Sequence, residues 1–221
     1  MQHLINKYYA SNNWLVLLAL FLIYALALTL EFNFLFTDQY YADPLVASGK
    51  NMEFIQERLA KVHSTDWVNY PLALVVILFP AFAVAFCLNI GVLFNNYKLQ
   101  FQSVFDVSLK ASAVFAINYL LAVILKISGV INLPRASIND TVAFQSALTF
   151  FDVSQLPYWL LYPLQCVNIS EVVFILFLAY GMKRLLDAKY LRSLLFVLLW
   201  YGLALLVWIV FTVLLQTINN Y

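Results

Sequence analysis

The sequence predicts an all-α polytopic membrane protein, a single integral membrane domain covering residues 1–221 with five transmembrane helices. Hydrophobic residues make up 64% of the chain and charged residues only 10%, far from the composition of a soluble domain. The apolar residues form long runs, and most charges fall between them. Such runs can cross a bilayer only as helices, because lipid offers no hydrogen-bond partner to exposed peptide groups.

Each apolar run meets or approaches the roughly 20 residues that a helix needs to cross the hydrocarbon core. The first run is interpreted as a retained span and not as a cleaved signal peptide, because it is long and four more runs follow it. The predicted spans are 14–30, 71–94, 111–131, 169–186 and 193–216.

The distribution of lysine and arginine predicts the orientation of these spans, because basic residues collect on the cytoplasmic side. It places the N-terminus in the cytoplasm and the C-terminus outside, in a plasma membrane or an inner membrane. The basic residues of the predicted cytoplasmic side are Lys7, Lys98, Lys110, Lys183, Arg184, Lys189 and Arg192. The acids assigned to the outer side are Glu31, Asp38, Asp43, Glu53, Glu57, Asp66, Asp140 and Asp152, beside the basic residues Lys50, Arg58, Lys61 and Arg135.

Two segments of the predicted outer side have features of their own. Between the first two spans, Met52, Ile55, Leu59 and Val62 recur at helical spacing. This pattern predicts an outer amphipathic helix that lies on the membrane surface, against a partner, or as a cap on the bundle. Before the fourth span, residues 156–167 are apolar but too short to cross alone. We interpret them as a re-entrant or interfacial segment, with a broken, tilted fourth helix as the alternative.

A candidate polar membrane site gathers where the fourth span begins. An acid at membrane depth indicates a proton relay or a cation ligand. The alternative is that Glu171 occupies the first turn of a helix at the headgroup boundary, where it complements the helix dipole. Lys126 lies near the outer end of the third span and could pair with Glu171 or Asp152. The candidate residues are Glu171, Asn168, Gln165, Lys126 and Asp152.

The remaining composition argues against several classes of function. A net charge of +1 is too low for a nucleic-acid partner. The two cysteines, Cys87 and Cys166, are too few and too far apart for a disulfide framework or a metal cluster, and neither His3 nor His63 has a second ligand nearby. No catalytic motif of a hydrolase, metalloprotease or nucleotide-binding protein occurs. We therefore expect no catalytic residues, no metal, no cofactor and no enzymatic activity.

Part of the chain is similar to a known family. An asparagine opens an apolar helix at Val167-Asn168-Ile169-Ser170-Glu171, which reaches Gly181 and a basic turn and returns as a long apolar helix from Ser193. With the segment Phe105–Lys110 before the third span, this pattern resembles the Yip1-domain family over roughly residues 101–212. The resemblance implies five spans and a cytoplasmic N-terminus. Eukaryotic members carry a long cytoplasmic N-terminal segment associated with small GTPases. Few residues precede the first span here, so GTPase binding is not inferred.

The leading functional hypothesis is a non-enzymatic scaffold or accessory subunit that packs in the lipid bilayer against other integral membrane proteins. Its basis is a chain with aromatic and small residues in its spans and almost no soluble mass. One alternative is a small transporter or channel component with a polar path near Glu171. A second alternative is a lipid-binding or lipid-sensing membrane protein.

Overall fold

The computed structural model describes residues 2–131, 145–152 and 155–219. The regular secondary structure in these residues is entirely helical. The helices are α1 (Gln2–Tyr9), α2 (Asn13–Phe34), α3 (Asp38–Ala47), α4 (Met52–Thr65), α5 (Asn69–Phe94), α6 (Phe101–Ala111), α7 (Ala113–Ile127), α8 (Tyr158–Cys166), α9 (Ile169–Leu186), α10 (Tyr190–Val197) and α11 (Leu203–Asn219). A π-helix, Leu198–Gly202, joins α10 to α11, and short 3₁₀ turns lie at Asp66–Val68 and Ala147–Phe150. Arg135, Asp140 and the side chain of His3 lie outside the described part.

Four continuous helical segments are long and apolar enough to cross a membrane, judged by length and composition: Asn13–Phe34, Met52–Phe94, Phe101–Ile127 and Tyr190–Ile218. They contain the predicted spans one, two, three and five, although α7 ends at Ile127, four residues before the predicted boundary. The predicted fourth span coincides with α9, an 18-residue helix. Since α9 carries Glu171, Lys183 and Arg184, it is not among those four, and a fifth span stays a prediction.

The core is built around α6, which packs against α5, α9 and α2. One hydrophobic cluster joins α5, α6, α9 and α10, with Leu88, Val104, Leu178 and Val197 fully buried. A smaller cluster joins α2 to α5 and to the junction of α6 and α7. Residues 101–110, predicted to lie between the second and third spans, are not a loop, because they belong to α6, whose apolar face packs in the middle of the bundle.

The first residues of the chain form α1, which folds back onto α6 and α9. The Tyr9 hydroxyl donates a hydrogen bond to the Phe177 carbonyl at 2.6 Å, and the Tyr8 hydroxyl donates to the Lys110 carbonyl at 2.8 Å. The Lys110 ammonium donates in turn to the Tyr9 carbonyl at 3.0 Å and is only 5% exposed. Burial raises the pKa of Tyr8 to about 12, so its hydroxyl stays a donor at neutral pH. Lys110 is therefore buried and not a free loop charge.

Helix α4 covers the residues of the predicted amphipathic helix. Ile55 is buried, Leu59 and Val62 are partly buried, and Met52 is exposed, so the apolar stripe faces inward for most of its length. The Asn51 side chain caps the helix by accepting a hydrogen bond from the Phe54 amide. Helix α4 packs against α3 and continues through a 3₁₀ turn into α5. Whether α4 lies on the membrane surface stays a prediction.

Candidate functional site

The predicted polar site contains a break between two helices. Helix α8 ends at Cys166, α9 begins at Ile169, and Asn168 between them has an extended backbone. The Asn168 side chain connects the two ends. Its amide oxygen accepts a hydrogen bond from the Glu171 backbone at 2.7 Å, and its amide nitrogen donates to the carbonyls of Gln165 and Cys166 at 3.1 and 3.2 Å. Asn168 is thus the N-cap of α9 and also closes the end of α8.

Both helices next to the break pack along the C-terminal helix. Helix α9 packs against α10, and α8 packs against α11. The indole nitrogen of Trp208 in α11 donates a hydrogen bond to the Tyr162 hydroxyl in α8 at 2.9 Å. The segment from Tyr158 to Leu186 therefore runs beside the helix Tyr190–Asn219 as one interrupted antiparallel partner. Whether residues 156–167 are re-entrant, interfacial or part of a broken fourth span stays a prediction.

The carboxyl group of Glu171 meets the C-terminal helix at its π-helical turn. The Tyr201 hydroxyl donates a hydrogen bond to Glu171 Oε1 at 2.6 Å. A π-helical turn inside an α-helix shifts the side chains that follow and often marks a functional site. The Tyr201 ring packs edge-on against Phe174, whose ring in turn lies 4.7 Å from that of Phe115. These contacts hold the phenol in one orientation toward Glu171.

Both cysteines of the chain come close to this pair. Cys87 of α5 and Cys166 of α8 lie within electrostatic range of the Tyr201 hydroxyl, and Cys166 lies within the same range of Glu171. Both thiols are free. The site thus draws on α5, α8, α9 and the π-helix.

The structure brings together only three of the five predicted site residues. Glu171, Asn168 and Gln165 lie together at the break. Among the described residues, no ion pair joins a lysine, arginine or histidine nitrogen to the Glu171 carboxylate within 4.0 Å, and the pairing of Lys126 with Glu171 stays a prediction. Lys126 is a buried residue of α7, and Asp152 is exposed and accepts a hydrogen bond from Gln155. The pairing of Lys126 with Asp152 stays a prediction.

A buried carboxyl group elsewhere in the bundle was missed by sequence reasoning. Glu31 was assigned to the outer segment, but α2 continues to Phe34 and buries the Glu31 side chain to 5% exposure. The Tyr119 hydroxyl of α7 donates a hydrogen bond to Glu31 Oε2 at 2.5 Å, and the Tyr24 ring packs on Tyr119 at 5.4 Å. No sequence signal pairs these residues, because 88 positions separate them. Two glutamate–tyrosine pairs therefore join helices within this bundle.

The described residues contain no group of three histidine, cysteine, aspartate or glutamate side chains that could hold a metal ion. His63 at the end of α4 does make charged contacts. Its Nε2 lies 2.7 Å from Asp38 Oδ1 at the start of α3, and its Nδ1 lies 3.1 Å from Asp66 Oδ2. With a carboxylate at each ring nitrogen, the imidazole bridges α3 and the α4–α5 junction best when both nitrogens carry a proton.

The His63 bridge is expected to make the packing of α3 on α4 dependent on pH. The hydrogen bond with Asp38, followed by that with Asp66, raises the pKa of His63 above its usual 6.5. Its contribution to stability is therefore complete below pH 6.5 and is lost as pH rises through the raised value. Hydrogen exchange of α3 and α4 amides should speed up over this range beyond the intrinsic pH effect. His63→Gln should abolish that extra dependence, and an unchanged pH profile in this variant would refute the bridge.

Comparison with known proteins gives no relative: no protein-family model, no curated protein and no solved structure matches this chain. The similarity of residues 101–212 to the Yip1-domain family stays a prediction.

Proposed function

We propose that this chain is a non-enzymatic accessory subunit or scaffold of a membrane protein complex, in a plasma membrane or inner membrane. In this proposal it has five spans, a cytoplasmic N-terminus and an outer C-terminus. A helix of a second integral membrane protein packs on the outward face of α10 and α11. The observation that carries the proposal is a shallow groove of about 520 Å³ around Gly202. The groove is lined by Leu195, Leu198, Leu199, Gly202, Leu203 and Leu206.

Gly202 differs from the other glycines within helices in what surrounds it. A Cβ atom added at Gly91 would lie 2.4 Å from the Trp200 ring, and one added at Gly181 would lie 2.4 Å from Val107. Internal packing therefore explains both of those glycines. A Cβ atom at Gly202 would meet nothing within 4 Å, and the backbone there is not left-handed. A glycine inside a helix costs roughly 0.5–1 kcal/mol relative to alanine, and neither contacts nor conformation within this chain account for that cost.

A close helix contact from outside would account for it. Without a hydrophobic driving force between helices in lipid, association depends on tight packing, and small residues let two backbones approach each other. The surface around Gly202 is also the least covered of the apolar helices. Only 6% of the most apolar part of Tyr190–Ile218 is buried within the chain, against 56% for Phe101–Ile127. A groove lined by leucines around Gly202 would accept a ridge of side chains on a partner helix.

Replacing Gly202 by leucine tests this proposal, because the added side chain would occupy the groove and its Cβ atom would meet nothing within 4 Å in the chain. We expect the wild-type protein, purified from its native membrane in mild detergent, to carry a partner protein at a defined mass. Gly202→Leu should lose most of that partner while keeping its own thermal stability. Ala83→Leu is the matched control, since Ala83 is an exposed small residue on α5, away from the groove.

Three outcomes of this experiment would contradict the proposal. The wild-type chain could be a monomer without a partner, or Gly202→Leu could retain the partner in full. Copurification of lipid alone would instead support the lipid-binding alternative. A specific feature favours that alternative: an apolar groove of about 450 Å³ beside the helix break, lined by Gln145, Ser146, Ala147, Thr149, Phe150, Val167, Asn168, Ile169, Val172 and Val173. The transporter alternative is favoured by the Glu171–Tyr201 hydrogen bond at the same break.

A further inference from the structure

The Glu171–Tyr201 pair lies far along its helices from the basic turn, residues 183–192. At 1.5 Å per residue, Tyr201 lies about 14 Å along the helix from Arg192, and Glu171 lies about 20 Å from Arg184. The hydrocarbon core of a bilayer is about 30 Å thick. If the basic turn lies in the headgroup layer, both side chains reach the middle third of the membrane. Helices α8 and α11 continue beyond the pair, so the pair does not lie at the edge of the bundle.

A carboxyl group at this depth needs a compensating positive charge or a proton. An ionised carboxylate with neither is very costly in a low-dielectric medium. Among the described residues, no ion pair joins a basic side chain to Glu171 within 4.0 Å. The titratable groups with an electrostatic influence on the pair are Cys87 of α5 and Cys166 of α8, both of them uncharged in their protonated forms. The described surroundings thus supply no basic group in ion-pair contact with Glu171.

The geometry suits a proton better than a metal cation. Calcium requires six or more oxygen ligands, and magnesium requires an octahedron of them. Among the described residues, the hydrogen-bond partner of the Glu171 carboxyl is the Tyr201 hydroxyl, and the Asn168 amide is engaged by the ends of α8 and α9. A proton needs only one carboxyl oxygen, while the other accepts the hydrogen bond from Tyr201.

We propose that Glu171 and Tyr201 form an intramembrane proton-binding site at the break between α8 and α9. Glu171 takes up and releases the proton, and Tyr201 is the positioning residue that donates to the carboxyl oxygen. Asn168 holds the carboxyl-bearing turn in place by capping α9. Because Tyr201 belongs to the same π-helix as Gly202, the site lies directly behind the proposed partner surface, but it requires no partner to bind a proton.

Labelling with dicyclohexylcarbodiimide tests the site, since this apolar reagent adds covalently to protonated carboxyl groups within membranes. The full chain, reconstituted in lipid nanodiscs, should be labelled at Glu171, as read from peptide masses, and labelling should fall as pH rises. Glu171→Gln should remove this label while leaving labelling of any other peptide unchanged. In Tyr201→Phe the carboxylate loses its hydrogen-bond donor, so labelling should persist to more alkaline pH. A purely structural role for Tyr201 would not move the pH profile.

Infrared difference spectra give a second measurement that does not depend on access of the reagent. The wild-type chain should show a pH-dependent C=O stretching band of a protonated carboxylic acid that is missing in Glu171→Gln. Absence of both the label and the band at every pH would overturn the proposal. So would full protection of Glu171 by sodium, potassium or calcium at constant pH, which would mark a cation site. Gly202→Leu should leave both measurements unchanged, which separates this proposal from the proposed function.

Discussion

Gly91→Leu is expected to destabilise the fold by about 3 kcal/mol, the upper part of the usual range for overpacking a core. A Cβ atom at Gly91 would lie 2.4 Å from two ring atoms of Trp200, far inside van der Waals contact. The indole cannot easily move, because it belongs to the π-helix and stacks on Phe94 at 5.3 Å. The side chain added at Gly91 would therefore force α5 and the π-helix apart. Unfolding in mixed detergent–SDS micelles, followed by tryptophan fluorescence, measures the loss.

The comparison with Gly202→Leu makes this prediction specific. Both substitutions add the same side chain to a helical glycine, and they differ only in whether the space is occupied. Gly91→Ala should fall between the wild type and Gly91→Leu, because it introduces the clash of the Cβ atom without the larger side chain. Equal stabilities of Gly91→Leu and Gly202→Leu would contradict the packing of α5 against the π-helix. That result would also weaken the placement of Tyr201 next to Glu171.

Tyr119→Phe is expected to cost about 2 kcal/mol, because it leaves the buried carboxyl group of Glu31 without its hydrogen-bond donor. The Tyr119 hydroxyl lies 2.5 Å from Glu31 Oε2, and Glu31 is only 5% exposed. The same mixed-micelle unfolding experiment measures the change. Tyr24→Phe is the matched control, since Tyr24 packs on Tyr119 through its ring and its hydroxyl makes no hydrogen bond among the described residues.

A double-mutant cycle with Glu31→Leu, which removes the acceptor oxygen that glutamine would keep, separates the hydrogen bond from other effects of each substitution. The two single substitutions should be less than additive, because either of them removes the same contact. Additive effects, or a Tyr119→Phe variant no less stable than Tyr24→Phe, would contradict a stabilising role for this pair. The cycle also compares the two carboxyl groups. Glu31 is expected to matter for the stability of the bundle, and Glu171 for proton binding.

Much of the candidate site could be anticipated from local sequence, because part of it is local in the chain. Asn168 and Glu171 are three residues apart at the start of an apolar run, which is the spacing of an N-cap and the backbone group that it binds. The partner of Glu171 could not be anticipated. Tyr201 is 30 positions away, and a π-helical turn has no periodicity that distinguishes it from the surrounding α-helix.

At Glu31 the local sequence pattern gave a wrong prediction. A charged residue after an apolar run is ordinarily the first residue of a loop, since an unpaired charge in a span is costly. Here α2 continues past it, because Tyr119 supplies a hydrogen bond from α7. Lys110 is a similar case. A basic residue next to a span was assigned to a loop, but α1 folds back and the Tyr9 carbonyl accepts its hydrogen bond. Hydrogen-bond partners that are distant in sequence explain why both side chains are buried.

The sequence by itself determined the helical class, the positions of four long apolar helices, the extent of α9 and the polar character of its first turn. These features follow from hydrophobic length, helical spacing and capping, which act between neighbouring residues. Only the tertiary structure decided which side chain faces Glu171, why Gly91 must be a glycine while Gly202 has no internal reason to be one, and that α8 runs beside α11. Such features depend on which helices touch. Apolar surfaces carry little information about their partners, so packing shape and a few buried hydrogen bonds select the contacts.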